Sequence, residues 1–198
     1  MKDKIQIIIS PHCDDEAIGA YSILSNPNNK CIIIYSDFDM TSERQNEMVN
    51  VKKRFENVAA YMKAREVPTQ FLTDEYSLHF PDPQYETHPH HKVIGHKGYE
   101  LFQKGHPVNF YSVNMLAPYI YNVSNPLEKK KALDELYPSQ KDLWANDAKY
   151  YLFEGHTSYI PERIWQDKLI YKHDGRSNIG EELPVNEVES EILIPEVV

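Results

Sequence analysis

Two short β-branched runs constrain this chain more than any other feature. Ile5-Gln6-Ile7-Ile8-Ile9 and Cys31-Ile32-Ile33-Ile34-Tyr35 are almost continuously apolar, the pattern of strands buried on both faces. Between them, Glu16 to Ser25 reads as a helix that Asn26-Pro27-Asn28-Asn29 stops. Strand, helix, strand is a βαβ unit, for which parallel pairing and a right-handed crossover are the default. The chain is therefore predicted to be α/β, a Rossmann-like three-layer sandwich with a mostly parallel sheet. Its ligand site is expected at the carboxyl ends of the strands.

The remaining pattern extends this unit. Thr41 to Arg65 reads as one long helix, because Val51, Phe55, Val58 and Met62 recur at helical spacing. Thr69 to Leu72 is a short strand candidate, and Asp74 to Glu86 reads as irregular. His90 to Gln103 is a predicted helix, Val108 to Val113 a strand, and Asn125 to Leu136 and Asp142 to Phe153 helices. Ile164 to Tyr171 is expected to pack on the domain as a strand or short helix. The predicted organisation is one domain over residues 1–173 and an acidic tail over 174–198.

Composition narrows the partners. The 198-residue chain is 41% hydrophobic and 12% aromatic, too rich for a disordered polymer. Its formal charge of -9 argues against nucleic acid, whose phosphates need clustered Lys and Arg. The one basic run, Lys129-Lys130-Lys131, sits beside Glu128 and Asp134. Two cysteines exclude a disulfide scaffold. No apolar stretch approaches a membrane span, and the first residues carry no signal-type run, so a soluble, cytoplasmic protein is expected. A homo-oligomer is left open.

The chemistry concentrates in two segments. Pro11-His12-Cys13-Asp14-Asp15-Glu16 follows the first strand directly and presents an imidazole and three carboxylates. Acidic residues at a helix start are ordinary, since they complement the macrodipole, but that does not account for His12. The second segment, Thr87-His88-Pro89-His90-His91, holds three histidines in four residues. His12 and Asp15 with one histidine of the second segment make two imidazoles and one carboxylate, a typical catalytic zinc set. Non-haem iron uses a similar triad, so Fe2+ or another divalent ion also satisfies the ligand types.

These two segments, and the later Asn122 to Gln140 stretch, resemble the PIG-L/LmbE family of zinc-dependent de-N-acetylases. The similarity runs with gaps from about residue 4 to 160. The resemblance implies zinc ligands at His12, Asp15 and His91, a general base at Asp14, and an oxyanion or leaving-group role for His88. It also implies an orienting role for Glu16 and a substrate contact for Arg44, in Arg44-Gln45-Asn46-Glu47. Arg54 competes for that last position. The implied reaction is hydrolysis of the N-acetyl group of an N-acetylglucosamine-type sugar or conjugate. Alternatives are an amidase on another N-acyl substrate, or a metal-binding relative without activity that serves as a binding module.

Three departures from the family pattern stand out. Cys13 replaces a proline, and His90 replaces an acid. The stretch from Leu72 to His88 lacks the pattern of a helix and strand, which predicts a sheet short of one strand and an altered pocket wall.

Overall fold

The computed structural model describes residues 4–36, 41–114 and 119–157. The tail over 174–198, the segment Ile164 to Tyr171, and Asp37, Asp39, Trp165 and His173 lie outside the described residues.

The fold is α/β, built on a seven-stranded, mostly parallel sheet. Along the chain come β1 (Ile5–Ser10), α1 (Asp15–Gly19), α2 (Tyr21–Leu24), β2 (Cys31–Tyr35), α3 (Ser42–Arg54), β3 (Val58–Lys63) and β4 (Tyr76–Pro81). They are followed by α4 (Pro89–Gln103), β5 (Val108–Ser112), β6 (Tyr119–Asn122), α5 (Pro126–Leu136), α6 (Lys141–Asn146), α7 (Lys149–Leu152) and β7 (Phe153–Thr157). In space the order is β3-β2-β1-β4-β5-β7-β6. The first five strands are mutually parallel, and β7 is antiparallel to both its neighbours.

Side chains alternate across the strands, so each face has its own core. Ile8, Ile33, Tyr35 and Tyr111 pack with Ala17, Met48, Leu133 and Trp144, beneath α1, α3, α5 and α6. Ile7, Ile9, Ile34, Phe80 and Phe110 pack on the other face with Phe71 and Ile94 of α4. The burial of β1 and β2 on both faces is why their sequences are apolar runs rather than alternating ones.

Five readings of the sequence are corrected. The region Thr41 to Arg65 is not one helix. Thr41 Oγ1 caps α3 by accepting from the Arg44 amide, and the helix stops at Arg54. Phe55 is extended, and its carbonyl accepts from the Val58 amide across the turn. Val58 and Met62 therefore belong to β3, paired with Cys31 and Ile34 of β2. Thr69 to Phe71 is a single 3-10 turn, not a strand. The stretch read as irregular contains β4, which pairs with β1 and β5 in the middle of the sheet, so no strand is missing there. Asp142 to Phe153 divides into α6, α7 and the start of β7, and Glu16 to Ser25 is broken at Ala20 into α1 and α2.

The basic run is not a patch. Lys129 is fully buried, and its Nζ donates to the carbonyls of Ile18 at 2.7 Å and Phe153 at 3.0 Å. Glu154 lies 3.8 Å from the same ammonium. Lys130 and Lys131 pair with Asp134 and Glu135 along α5. No helix among the described residues is long and apolar enough to cross a membrane.

Candidate metal centre

The β1–α1 connection and the amino end of α4 meet at the carboxyl edge of the sheet. Glu16 fixes the first of these segments. It is fully buried, and one carboxylate oxygen accepts from the hydroxyls of Tyr35 at 2.5 Å and Tyr137 at 2.7 Å. The other accepts from Ser10 Oγ at 2.7 Å and the Asp14 amide at 3.1 Å. Ser10 and Tyr35 are register partners in β1 and β2, so the sheet itself aims both hydroxyls at Glu16. A buried carboxylate with this many donors is tolerated, and it locks the turn that carries His12 to Asp15.

Helix α4 positions the second segment. His88 caps it, with its Nδ1 accepting from the His90 amide at 3.3 Å, and Pro89 occupies the first turn. His91, Ile94, Gly95 and Gly98 form its buried face. A Cβ at Gly95 would stand 2.6 Å from the Pro81 carbonyl oxygen, and one at Gly98 would stand 2.4 Å from the Phe80 ring. The two glycines let α4 lie against β4, and that close approach carries His91 inward.

Three donor atoms converge as a result. His12 Nδ1 lies 3.2 Å from Asp15 Oδ2, His91 Nε2 lies 3.1 Å from the same oxygen, and the two ring nitrogens are 3.0 Å apart. Two ligands at normal zinc distances and a tetrahedral angle are about 3.3 Å apart, so this triangle fits one such ion with small adjustments. The far nitrogen of His91, Nδ1, is 2.9 Å from Glu86 Oε2. A carboxylate there holds the proton on Nδ1 and turns the Nε2 lone pair inward, the usual arrangement behind a metal-bound imidazole. Glu86 is itself anchored, since Oε1 accepts from the Val113 amide.

Asp14 stands beside this triangle, buried, and pairs with Arg44, whose Nη2 is 3.1 Å from Oδ1 and 3.0 Å from the Cys13 carbonyl. Arg44 is thus brought to the site, with its guanidinium spent on the loop. Its Nε is buried without a partner among the described residues. Glu47, from the same Arg44 to Glu47 pair, does not meet Arg44; it accepts from the amide and hydroxyl of Ser139 at 3.0 and 2.9 Å. Arg54 pairs with Glu128 and Glu135 on α5, which removes it as a competitor for Arg44. Cys13 is buried in the core, where burial pushes its thiol pKa up, and it belongs to neither group of converging donor atoms among the described residues.

The charge states follow from these contacts. Burial and the neighbouring Asp15 charge raise Asp14 to about 7, against the pull of Arg44. Burial also opposes ionisation of Asp15, but the His91 and His12 contacts outweigh it and hold its pKa well below the usual range. His91 is disfavoured as a cation by burial, yet Asp15 and Glu86 raise it to about 10. Burial opposes a charged His12 too, and the Asp15 contact again outweighs it, so that its pKa is raised. By protein groups alone, then, Asp15 stabilises positive charge at the point where the two rings meet. His88 behaves oppositely: burial first, then the neighbouring imidazoles, lower it to about 4.

All seven residues singled out from the sequence, His12, Asp14, Asp15, Glu16, Arg44, His88 and His91, are in this region. Glu86, Ser10, Tyr35 and Tyr137 were not foreseen. A cavity of about 280 Å³ exists elsewhere, lined by Ile9, Ile34, Val67, Phe80, Ile94 and Leu101, and it touches none of the site residues. No family model, curated protein or solved structure matches the chain.

Proposed function

We propose that this chain is a metal-dependent N-deacetylase, acting on an N-acetylglucosamine-type sugar or sugar conjugate and releasing acetate and the free amine. The observation that carries the reading is the buried triangle of His12, Asp15 and His91 donor atoms with the Asp14 carboxylate beside it. The fold reading that goes with it is a Rossmann-like three-layer sandwich with the metal site at the strand ends. The family reading is PIG-L/LmbE-like, on the motif resemblance.

Zinc is the proposed ion, held by His12 Nδ1, Asp15 Oδ2 and His91 Nε2, and such an ion supplies Lewis acidity that brings the pKa of water near 7. Asp14 takes the proton of the attacking water. Burial raises its affinity for a proton, which suits a base that then passes the proton on to the departing nitrogen. Arg44 holds Asp14 in place through Oδ1 and opposes a further rise of its pKa. His88 is neutral near pH 7, and its Nδ1 already accepts from the His90 amide, so its proton sits on Nε2. That tautomer suits donation to the developing oxyanion better than protonation of the amine. Glu86 keeps His91 in the ligating tautomer.

The deciding experiment is acetate release from a panel of N-acetylated sugars and simple N-acyl amines, with Asp14→Asn as control. Release from the sugars, lost by about 10²-fold or more in Asp14→Asn with metal content retained, is the expected result. Release from the amines alone supports the broader amidase, and none from either sinks the enzymatic reading. Full turnover in Asp14→Asn removes Asp14 as the base.

A further inference from the structure

The amino end of α4 holds a second group of imidazoles outside the first. His12 turns Nδ1 into the inner triangle and Nε2 outward, where it meets His90 Nδ1 at 3.1 Å. The His88 ring centre lies 4.6 Å from that of His12 and 5.1 Å from that of His90. One ring nitrogen from each of His12, His88 and His90 falls within 4.8 Å of the other two. No carboxylate belongs to this set, and His88 and His90 are exposed.

We propose that His12, His88 and His90 form a second, outer metal site for a divalent transition ion. Three imidazole donors without oxygen favour zinc, copper(II) or nickel(II) over magnesium or calcium. The outer ion takes His12 Nε2, whose proton passes to solvent, together with one nitrogen from His90 and the Nε2 of His88. His88 Nδ1 is engaged by the His90 amide, which leaves Nε2 as its donor. The spread of up to 4.8 Å closes to the roughly 3.3 Å of a tetrahedral edge by rotation of exposed rings, without moving the backbone. The outer site is the weaker of the two, because His88 and His90 are exposed and lose side-chain freedom on binding, whereas Asp15 and His91 are already buried and paired. Its consequence for turnover rests on the proposed function. An ion on His88 withholds the oxyanion donor, so excess metal inhibits.

The test is equilibrium dialysis of the full chain against zinc, with metal analysis at rising free zinc. The wild type is expected to bind about two ions per chain, one tightly and one weakly. His90→Ala and His88→Ala, both at exposed positions, are expected to lose only the weak one. With copper(II), the same two variants lose the nitrogen hyperfine signature of the second ion. Saturation of the wild type at about one ion, or retention of both ions in His90→Ala, overturns the outer site. The inner site is scored separately by Asp15→Asn, which removes the tight ion. Should that variant keep the tight ion, the inner reading fails while the His88 and His90 arms still decide the outer one.

Discussion

The two segments that make the site are built in opposite ways. In the first, Asp14, Asp15 and Glu16 are almost inaccessible, and Glu16 accepts from four donors. In the second, Thr87, His88, Pro89 and His90 are exposed, and His91 alone enters the interior. The difference separates two tasks. Buried carboxylates are costly unless every oxygen is met, so the first segment must be rigid and is part of the fold. Exposed imidazoles cost little to fold, so the second segment is free to carry chemistry.

Glu16→Ala breaks the comparison hardest. It leaves the Tyr35 and Tyr137 hydroxyls and the Asp14 amide unpaired in the interior, and the expected loss is about 3–5 kcal/mol in denaturant unfolding. Glu16→Gln keeps the shape and is expected to lose about half as much, since its amide group cannot accept from every donor. A loss below about 1 kcal/mol for the alanine variant would show that the first segment is not anchored through Glu16.

Gly95→Ala probes how the exposed segment is held. A methyl there meets the Pro81 carbonyl oxygen at 2.6 Å and the Pro83 nitrogen at 2.8 Å, backbone atoms that cannot swing aside. Overpacking of this kind costs about 1–3 kcal/mol. It also lifts α4 and His91 from the triangle, so the tight metal ion is expected to bind more weakly in the same variant. Unchanged zinc affinity would mean that His91 does not depend on the α4–β4 approach.

What was legible in the sequence follows the same division. The strands β1 and β2 announced themselves because burial on both faces demands apolar runs. His12, Asp15 and His91 were legible by residue type alone. Strand β3 was hidden because Val51, Phe55, Val58 and Met62 mimic one helical stripe; Asn57, between Phe55 and Val58, was the missed breaker. Strand β4 was hidden because Ser77 and His79 break the continuous apolar run seen in β1 and β2, although their alternation with Tyr76, Leu78 and Phe80 is itself a strand pattern. His79 is nonetheless buried and accommodated, its Nε2 2.7 Å from Gln6 Oε1. Glu86 had no local signal at all. Its role comes from the Val113 amide and His91 being brought together by the sheet and α4, which no window of sequence contains. Nothing in the sequence separates Lys129 from its two lysine neighbours, and only the closure of α5 over α1 brings its ammonium to the Ile18 carbonyl.

The pH dependence of the chelated protein sharpens the contrast at His91. Its folded pKa, about 10, lies above the roughly 6.5 of an unfolded histidine, so its contribution is complete below that lower value and is lost as pH rises toward 10. Between pH 7 and 8 this removes about 1 kcal/mol of stability. Asp14, raised to about 7, adds to this loss, and Lys129, lowered by burial to about 8, opposes it, so the His91 part is the difference between wild type and His91→Ala. Urea unfolding at both pH values is expected to show the drop in chelated wild type and a smaller one in His91→Ala. Zinc-loaded wild type is expected to lack the His91 part, since a ligated ring no longer titrates. Equal slopes in all three would remove Asp15 and Glu86 as the source of the His91 shift.

The smallest expected change in stability is at His88. The residue is exposed, its ring touches the other imidazoles only by edge and tilted contacts, and its one side-chain hydrogen bond among the described residues is the cap to the His90 amide. His88→Asn keeps a capping side chain and should alter unfolding free energy by no more than about 0.5 kcal/mol. If His88 donates to the oxyanion, the same substitution lowers kcat by about 10²-fold with KM nearly unchanged, because the donor acts on charge that develops only in the transition state. A residue that only closed the helix would leave both measurements unchanged, because asparagine keeps the cap. The size of the split between those two measurements therefore decides whether the exposed segment carries chemistry or merely ends a loop.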